Sequence, residues 1–425
     1  MKNNRQLAGR NKHTCYILIF MLLIVSSMLS TTLLSQTISL DEVLTKIEKN
    51  NLLLLSYENK IKANDELVNG AGAWMSPKLS TEWDDIPYQF DAQKTQLKIA
   101  LSQDFPNPKK IEAKENYLKS IASIDKNEAE FYKIGLFTQA KEAYYKRYIT
   151  EKKIKVLQES ITIMQMMVTL SEKQMAISKG DLGTVYRLKA RLTENETMLI
   201  HEQNMVRSQT STLNYLMNAD LSQNFEIDTQ HLMKNYRLLK ADMKMDSLDC
   251  KRSDIVRMTS VINSMKLNQM LISTRSKPEF GVRVANYTKF GGRADAYSVM
   301  GTMTIPIAPW SSKGYKSELK AMGFSIDAME QNKQNMIKMA QQMINMFLIE
   351  LESEYKELDN YTMIVIPAYK KSLDANLLSY GQNTNDLNMA LMAWDDLQMA
   401  HMEYLKHLDT YFKIQAEYEK EVQIR

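Results

Sequence analysis

Cysteine, proline and glycine are all scarce in this chain of 425 residues, which contains 2 Cys, 8 Pro and 13 Gly. Cys15 lies in an N-terminal segment that we expect to be removed, which leaves Cys250 without a partner for an internal disulfide. Few Pro and Gly residues are present to end helices, while Lys, Glu, Gln, Met, Leu and Ala are abundant. This composition is typical of long α-helices.

The sequence has one long apolar run, from Tyr16 to Leu29, and it is shorter than the about 20 residues that a membrane-spanning helix needs. Four basic residues and no acidic residue precede it, and small polar residues follow as far as Gln36. This order predicts that residues 1–36 are a secretory signal peptide. A retained N-terminal anchor is the alternative.

Neither charge nor motifs indicate nucleic-acid binding or catalysis. The chain carries 54 Lys and Arg against 50 Asp and Glu, and removal of residues 1–36 takes away four basic residues, which balances the two sets. A neutral chain gives no electrostatic reason to expect nucleic acid as a partner. No nucleophile elbow, phosphate loop, Cys pair or His-Glu metal motif occurs, so we expect neither an enzyme nor a cofactor.

The few Pro and Gly residues recur at a nearly constant offset. The pairs are Pro77 and Pro278 (201 apart), Pro106 and Pro306 (200 apart), and Gly180 and Gly381 (201 apart). Three coincident offsets predict a tandem duplication. We therefore divide the chain after the signal peptide into a first repeat (37–220), a connector (221–252) and a second repeat (253–425).

Each repeat is predicted to begin with a helix, Leu40–Asn69 or Ser253–Thr274, and to continue with two strands. In each predicted strand, mainly apolar residues on one side alternate with mainly polar residues on the other. The mainly apolar sides are Leu79, Thr81 and Trp83, then Leu97, Ile99 and Leu101, then Phe280, Val282 and Val284, and finally Tyr297, Val299, Met303 and Ile305. Period-two alternation indicates half-buried strands. Turns near Gln89–Asp91 and Gly291–Arg293 would join them as two hairpins.

A long helix is predicted after each hairpin. Lys109 to about Ile177 contains no Pro, and such a helix would be on the order of 100 Å long. In the second repeat Met322, Met329, Met336 and Met343 recur every seven residues, which predicts that they form a coiled-coil seam. Tight turns at Gly180 and Gly381 would lead into return helices. Each Gly would supply the left-handed backbone that ends a helix.

The predicted strands have the length of tilted transmembrane strands. Four strands cannot close a barrel in a bilayer, where the smallest closed forms have about eight, so a spanning sheet would need several chains. The alternative is a small surface sheet in a soluble helical protein. Membrane fractionation separates these two interpretations.

Three features together resemble the TolC family of outer-membrane efflux proteins. They are the signal peptide, the two copies of helix, hairpin, long helix, tight turn and return helix, and the prolines where hairpin meets helix (Pro77, Pro106, Pro278 and Pro306). The resemblance covers nearly all of residues 37–425. It implies a mainly helical fold with a small β part, in which three chains form a 12-stranded barrel in the outer membrane and a helical tunnel across the periplasm. The implied partners are two further copies, outer-membrane lipid, a periplasmic adaptor (membrane fusion) protein and an RND-type inner-membrane pump.

The segments Gln103–Lys110 and Thr304–Ser311 are more similar to the metal-cation (CusC/CzcC-like) branch, although Lys109 replaces the Gly common in that branch. The cargo stays open between small molecules such as drugs, metal cations and, for a protein-secretion duct, proteins. A secreted or periplasmic coiled-coil protein of structural or adaptor type is the alternative function.

The resemblance implies that the tight turns close the tunnel and meet the adaptor, which makes Gly180, Asp181, Gly381 and Asp386 the candidate site. Asp386 matches the first acid of the family's second turn, while Met389 stands where a second acid is common. Three copies of Asp386 would form a cation-attracting ring. The alternative role for Asp386 is a helix N-cap.

Methionine supplies the second candidate site. The chain has 30 Met, and Met399, His401 and Met402 form the tightest mixed cluster of thioether and imidazole groups. Thioether ligands suit Cu(I). Methionine is also an adaptable packing residue, so core packing is the alternative.

Overall fold

The computed structural model describes residues 37–89, 91, 94–176, 181–229, 233–234, 252–382 and 387–424. The predicted signal peptide, much of the predicted connector, Cys250, Gly180 and Asp386 lie outside these residues. The helices are α1 (Leu40–Asn50), α2 (Leu52–Asn69), α3 (Pro108–Ala176), α4 (Leu182–Met217), α5 (Ser253–Ser273), α6 (Pro309–Asn360), α7 (Ile366–Gly381) and α8 (Leu387–Glu421). The strands are β1 (Thr37–Ile38), β2 (Lys78–Asp84), β3 (Gln96–Phe105), β4 (Glu226–Ile227), β5 (Phe280–Lys289) and β6 (Ala296–Met303).

The predicted long helix of the first repeat is present as α3, which runs for 69 residues. Asn107 precedes it, and its side-chain oxygen accepts a hydrogen bond from the backbone N–H of Lys109 at 3.0 Å, which satisfies a donor at the helix start. α3 begins just after β3 of the four-stranded sheet and runs away from it as far as Ala176. None of the described helices holds an apolar stretch long enough to cross a membrane.

The single helix predicted over Leu40–Asn69 is wrong, because Asn51 divides it into α1 and α2. The backbone of Asn51 is extended (φ −65°, ψ 125°). Its side-chain oxygen accepts from the N–H of Leu53 at 3.0 Å, and its amide donates to the carbonyl of Leu216 at 2.9 Å. A buried Asn that bonds its own backbone and a distant carbonyl competes with helix continuation.

A π-helical turn, Tyr361–Val365, separates α6 from α7. Pro367 follows within the first turn of α7. Its ring has no N–H to donate and would clash with the carbonyl of Met363 in a regular α-helix. The extra residue of the π turn accommodates the proline, so the helix continues through it.

The predicted methionine seam on α6 is also wrong in its position. Ile337, Ile344, Leu351 and Leu358 are buried at seven-residue spacing, and so are Ala340 and Phe347. Met336 and Met343 precede two of them by one residue and are half-buried, while Met339 and Met346 are exposed. The seven-residue period therefore exists, but the branched side chains and Ala form the seam and the methionines flank it.

The sheet order is β2-β3-β5-β6, with every neighbouring pair antiparallel. β2 with β3 and β5 with β6 are the two predicted hairpins, and β3 pairs with β5 over ten residues to join them. Gly291 and Gly292 have φ of 79° and 77° in the turn between β5 and β6, a conformation that favours glycine. β6 ends at Met303, two residues before the predicted strand end at Ile305.

Two buried clusters hold the helices together. The central core surrounds the middle of α3 and the short parallel pair of β1 and β4, where the hydroxyl of Tyr144 lies 2.9 Å from the carbonyl of Ile38 and 2.7 Å from that of Asp228. The tip core lies further along α3, and its members include Met164, Met167, Leu188, Leu391 and Trp394. Packing at two levels along α3 keeps the long helices side by side.

Candidate functional site

The four-stranded sheet has one continuous apolar face. Directly paired residues lie on the same face of a sheet. Leu79 pairs with Leu101, Leu101 with Val284, and Val284 with Val299, so one apolar row crosses all four strands. These four side chains are between 48% and 71% exposed. Such a face, several strands wide and uncovered, is typical of a surface that contacts another apolar phase.

The opposite face is polar and closely packed. Lys98 pairs with both Glu82 and Tyr287, and its ammonium lies 3.0 Å from the Glu82 carboxylate. Gly281 pairs with Asp104 and Thr302, and a Cβ at this glycine would lie 2.6 Å from the Thr302 hydroxyl and 2.7 Å from the Asp104 carboxylate. The sheet therefore separates an apolar side from a polar side.

Aromatic pairs mark both ends of the strands. Trp83 stacks on Phe290 at 5.7 Å on the side of the hairpin turns, and Trp74 meets Phe105 edge-to-face at 5.2 Å on the side of the helices. Aromatic residues at the two ends of an apolar band are characteristic of strands that cross a bilayer. The candidate prolines all lie between a helix and a strand: Pro77 and Pro278 before β2 and β5, and Pro106 and Pro306 after β3 and β6.

The starts of the two return helices, α4 and α8, lie together. The guanidinium of Arg187, in the second turn of α4, donates to the side-chain oxygen of Asn388, the second residue of α8, at 3.2 Å. These residues are 201 positions apart, which is the offset of the duplication. Both return helices, α4 and α8, therefore begin close to each other in space.

Asp181 is the N-cap of α4. Its carboxylate accepts hydrogen bonds from the N–H and the hydroxyl of Thr184 at 3.1 and 3.2 Å. Hydrogen bonds from the backbone of Gly183 and from Thr184 hold the pKa of this exposed carboxyl below its usual range. The carboxylate therefore stays ionised at the start of the helix, where the helix dipole favours a negative charge.

Gly381 ends α7 but does not have the predicted left-handed backbone. The positive-φ glycines of the described residues are Gly291 and Gly292. Gly381 is the last helical residue, and no atom lies within 4 Å of the place that a Cβ would occupy. The predicted left-handed backbone at Gly381 is therefore wrong, although the helix does end at this residue.

The residues Met399, His401 and Met402 do not line one cavity. Met399 and Met402 line a groove of about 770 Å³ between α4 and α8 together with Met198 and His201 of α4. His401 lines a smaller cavity with Glu159 of α3 and Trp394, and burial lowers its pKa; Glu159 opposes this shift and Lys370 adds to it. The sequence interpretation missed Met198 and His201. The 201-residue offset, applied to Met399 and Met402, identifies both.

Several solved outer-membrane channels have this architecture. CusC, studied for its folding and transmembrane channel formation, has a TM-score of 0.74 at 12% identity, with 90% of this chain and 91% of that chain covered. The outer membrane channel CmeC of Campylobacter jejuni has 0.72 at 13% identity, with 90% and 85% covered. The outer membrane protein VceC of Vibrio cholerae has 0.70 at 12%, with 90% and 95% covered. The sequence matches no protein-family model and no curated protein.

Proposed function

We propose that this chain, which has the fold of the TolC-like outer-membrane channels, forms a passive homotrimeric export channel and catalyses no reaction. The observation that carries the proposal is the sheet with its exposed apolar face, polar opposite face and terminal aromatic pairs. A sheet of this kind matches a bilayer on one side and water on the other. After signal-peptide removal, the protein would lie in the outer membrane with its helices in the periplasm.

The strand count supports trimerisation. The sheet ends at β2 and β6, each of which pairs on one side within the described residues. An open strand edge in lipid leaves backbone N–H and C=O groups unsatisfied, and each costs several kcal/mol. Three copies would pair each β6 with the next β2 and close a barrel of 12 strands, above the minimum of about eight.

The partners and the cargo that we propose are those that the resemblance to TolC-like channels implies. The rod of α3 is on the order of 100 Å long, which would carry the turns deep into the periplasm. There we expect a periplasmic adaptor and an RND-type inner-membrane pump to complete a tripartite system. The cargo would be small molecules or metal cations that pass the constriction at the turns.

Localisation and assembly test this proposal directly. We expect the protein to remain with the outer membrane through alkaline washing and to be released by detergent as three chains, measured by native mass spectrometry. A stable monomer in detergent would contradict the trimeric barrel. Release by washing would favour the alternative, a periplasmic coiled-coil protein whose sheet does not enter lipid.

Asp386 is the proposed charge of the periplasmic constriction, with Asp181, Gly180 and Gly381 in the paired turns. Asp386→Asn would remove three charges from a trimeric ring, so we expect lower single-channel conductance and cation selectivity at low salt, where screening is weak. Glu403→Gln is the control, since it removes an exposed carboxylate further along α8. If Asp386→Asn and Glu403→Gln both conduct like the wild type, the role of Asp386 is limited to helix capping.

A further inference from the structure

The groove between α4 and α8 is lined by four side chains that carry sulfur or nitrogen donors. Met198 and His201 are three residues apart on α4, and Met399 and Met402 are three residues apart on α8. Residues at this spacing lie on the same helix face. All four line the same groove of about 770 Å³.

The four residues occupy equivalent positions of the two repeats. Met399 follows Met198 by 201 residues, and Met402 follows His201 by 201 residues. This is also the offset of Arg187 and Asn388, whose side chains meet at the start of the same two helices. The duplication therefore places two pairs of donors at matching levels along α4 and α8.

Direct contacts fix the two helices at the level of the groove. The amide of Gln398 donates to the side-chain oxygen of Asn195 at 2.8 Å, one residue before Met399 and one turn before Met198. The hydroxyl of Ser160 on α3 donates to the side-chain oxygen of Gln398 at 3.3 Å. Asn195 is 2% exposed, so this connection is part of the packed interior.

The donors at the groove are chemically soft and accessible. Three thioethers and one imidazole favour Cu(I) or Ag(I), which share the d10 configuration. The carboxylates of the groove, Glu194, Asp395 and Glu202, are paired with Arg191 or Lys153. Met198 is 49% exposed and Met399 is 66% exposed, so an ion can reach them from solvent. Arg191 at the same groove lies 3.1 Å from Glu194 and 3.9 Å from Asp395, which offsets its positive charge.

We propose that Met198, His201, Met399 and Met402 form a binding site for a soft monovalent cation, Cu(I) or Ag(I). Among the described residues no group of three or more His, Cys, Asp and Glu side chains could hold a metal, so an ordinary zinc site does not compete with it. Binding is a property of the purified protein, and its measurement does not depend on conduction through the proposed channel.

Silver titration tests the site, because Ag(I) does not change oxidation state under the assay conditions. We expect calorimetry on the full chain in detergent to show one strong Ag(I) site per chain, weakened at least tenfold in the double variant Met399→Leu/Met402→Leu. Met389→Leu/Met392→Leu is the matched control: both residues are exposed methionines of α8 that do not line the groove. Met-to-Leu changes nearly conserve volume, so all variants should fold.

Peroxide footprinting locates the bound ion by mass spectrometry. Ag(I) at the groove should slow oxidation of Met198, Met399 and Met402 to the sulfoxide and leave Met389 and Met392 unchanged. His201→Gln should weaken Ag(I) binding and keep the thioether protection pattern. Equal Ag(I) affinity in the two double variants, or protection spread evenly over the exposed methionines, would overturn the proposal and leave the groove as an apolar lining.

Discussion

The sheet exposes hydrophobic side chains, whereas the central core buries them. In the sheet Leu79 and Val299 point outward and are 71% and 66% exposed, whereas in the central core Ile344 and Tyr411 are fully buried. The central core even encloses an ion pair, with the Lys141 ammonium 2.5 Å from the Glu419 carboxylate. One chain thus carries a surface suited to an apolar surrounding and a rod suited to water. The exposure or burial of the hydrophobic side chains therefore distinguishes these two regions.

The largest effect is expected from breaking the buried ion pair of the central core. Glu419 is fully buried and lies between Lys141 and Lys234, at 2.5 and 2.6 Å. Glu419→Gln leaves a buried ammonium without its counter-charge, which should lower the free energy of unfolding by about 3–5 kcal/mol. Glu403→Gln is the control, because its partner Lys406 is exposed and such pairs contribute about 0–1 kcal/mol.

Denaturant titration of the detergent-solubilised protein compares the two variants. Burial lowers the pKa of Lys141 in the folded state, so the unfolded chain binds the extra proton more readily. Stability attributable to Lys141 should therefore rise with pH up to the ordinary lysine pKa of about 10.4. Equal losses in Glu419→Gln and Glu403→Gln would show that the buried pair is not a stabilising contact of the rod.

A charge on the outer face of the sheet should have the next largest effect. Val299 lies in the middle of β6, and Val299→Arg should destabilise the folded protein in a bilayer by about 2–4 kcal/mol. Ser298→Arg places the same charge one residue earlier on the polar face and should cost much less. Leu97→Arg, on the same face but beside Trp83 at the turn end of β3, should cost less than Val299→Arg. Folding in lipid vesicles, measured by heat-dependent gel mobility, distinguishes the faces; similar losses for Ser298→Arg and Val299→Arg would contradict a lipid-facing surface.

A smaller, pH-dependent effect is expected at His401 on the side of the tip core. Burial lowers its folded pKa below the unfolded value of about 6.5, so its stabilising contribution is complete above that pH and is lost as pH falls through the folded pKa. His401→Gln should flatten the fall in melting temperature between pH 7.5 and 5. The control is His201→Gln in the absence of metal. Identical pH profiles for His401→Gln and the wild type would exclude His401 as the responsible group.

The smallest effect is expected at the first turn. Asp181→Ala removes the side-chain acceptor for the Thr184 N–H, so the start of α4 should fray while the central core is unchanged. Amide hydrogen exchange should be faster at Thr184 and Val185 and unaltered near Tyr144. Asp181→Asn keeps an acceptor oxygen and should retain most of the protection. Faster exchange along the whole of α4 would contradict a local cap.

The sequence predicted the fold class, both hairpins and the length of α3, because each depends on a periodic or compositional signal. The TolC-like fold suggested by the repeat and its prolines is confirmed by the structural likeness. The alternation predicted within each strand agrees with the sheet, while the pairing register, which the sequence did not give, places Leu79, Ile99, Val284 and Val299 on one face.

The details that were missed depend on contacts between distant segments. Asn51 ends α1 partly because Leu216 accepts its amide, and no local pattern shows that partner. The methionines of α6 share the heptad period with the true seam, so spacing alone could not decide which of two adjacent positions is buried. His401 and Met402 are neighbours in sequence but line different cavities, because successive residues of a helix point about 100° apart.

The pairing of β3 with β5 has a consequence for the order of biogenesis. Phe105 and Phe280, which pair with each other, are 175 residues apart in sequence, so the centre of the sheet belongs to neither repeat alone. Contacts this distant form late, because the entropy of closing the intervening chain must be overcome first. The first hairpin must therefore wait, with one edge uncovered, until most of the chain has emerged. Truncation before residue 280 should therefore leave the β3 edge of the first hairpin without its partner strand.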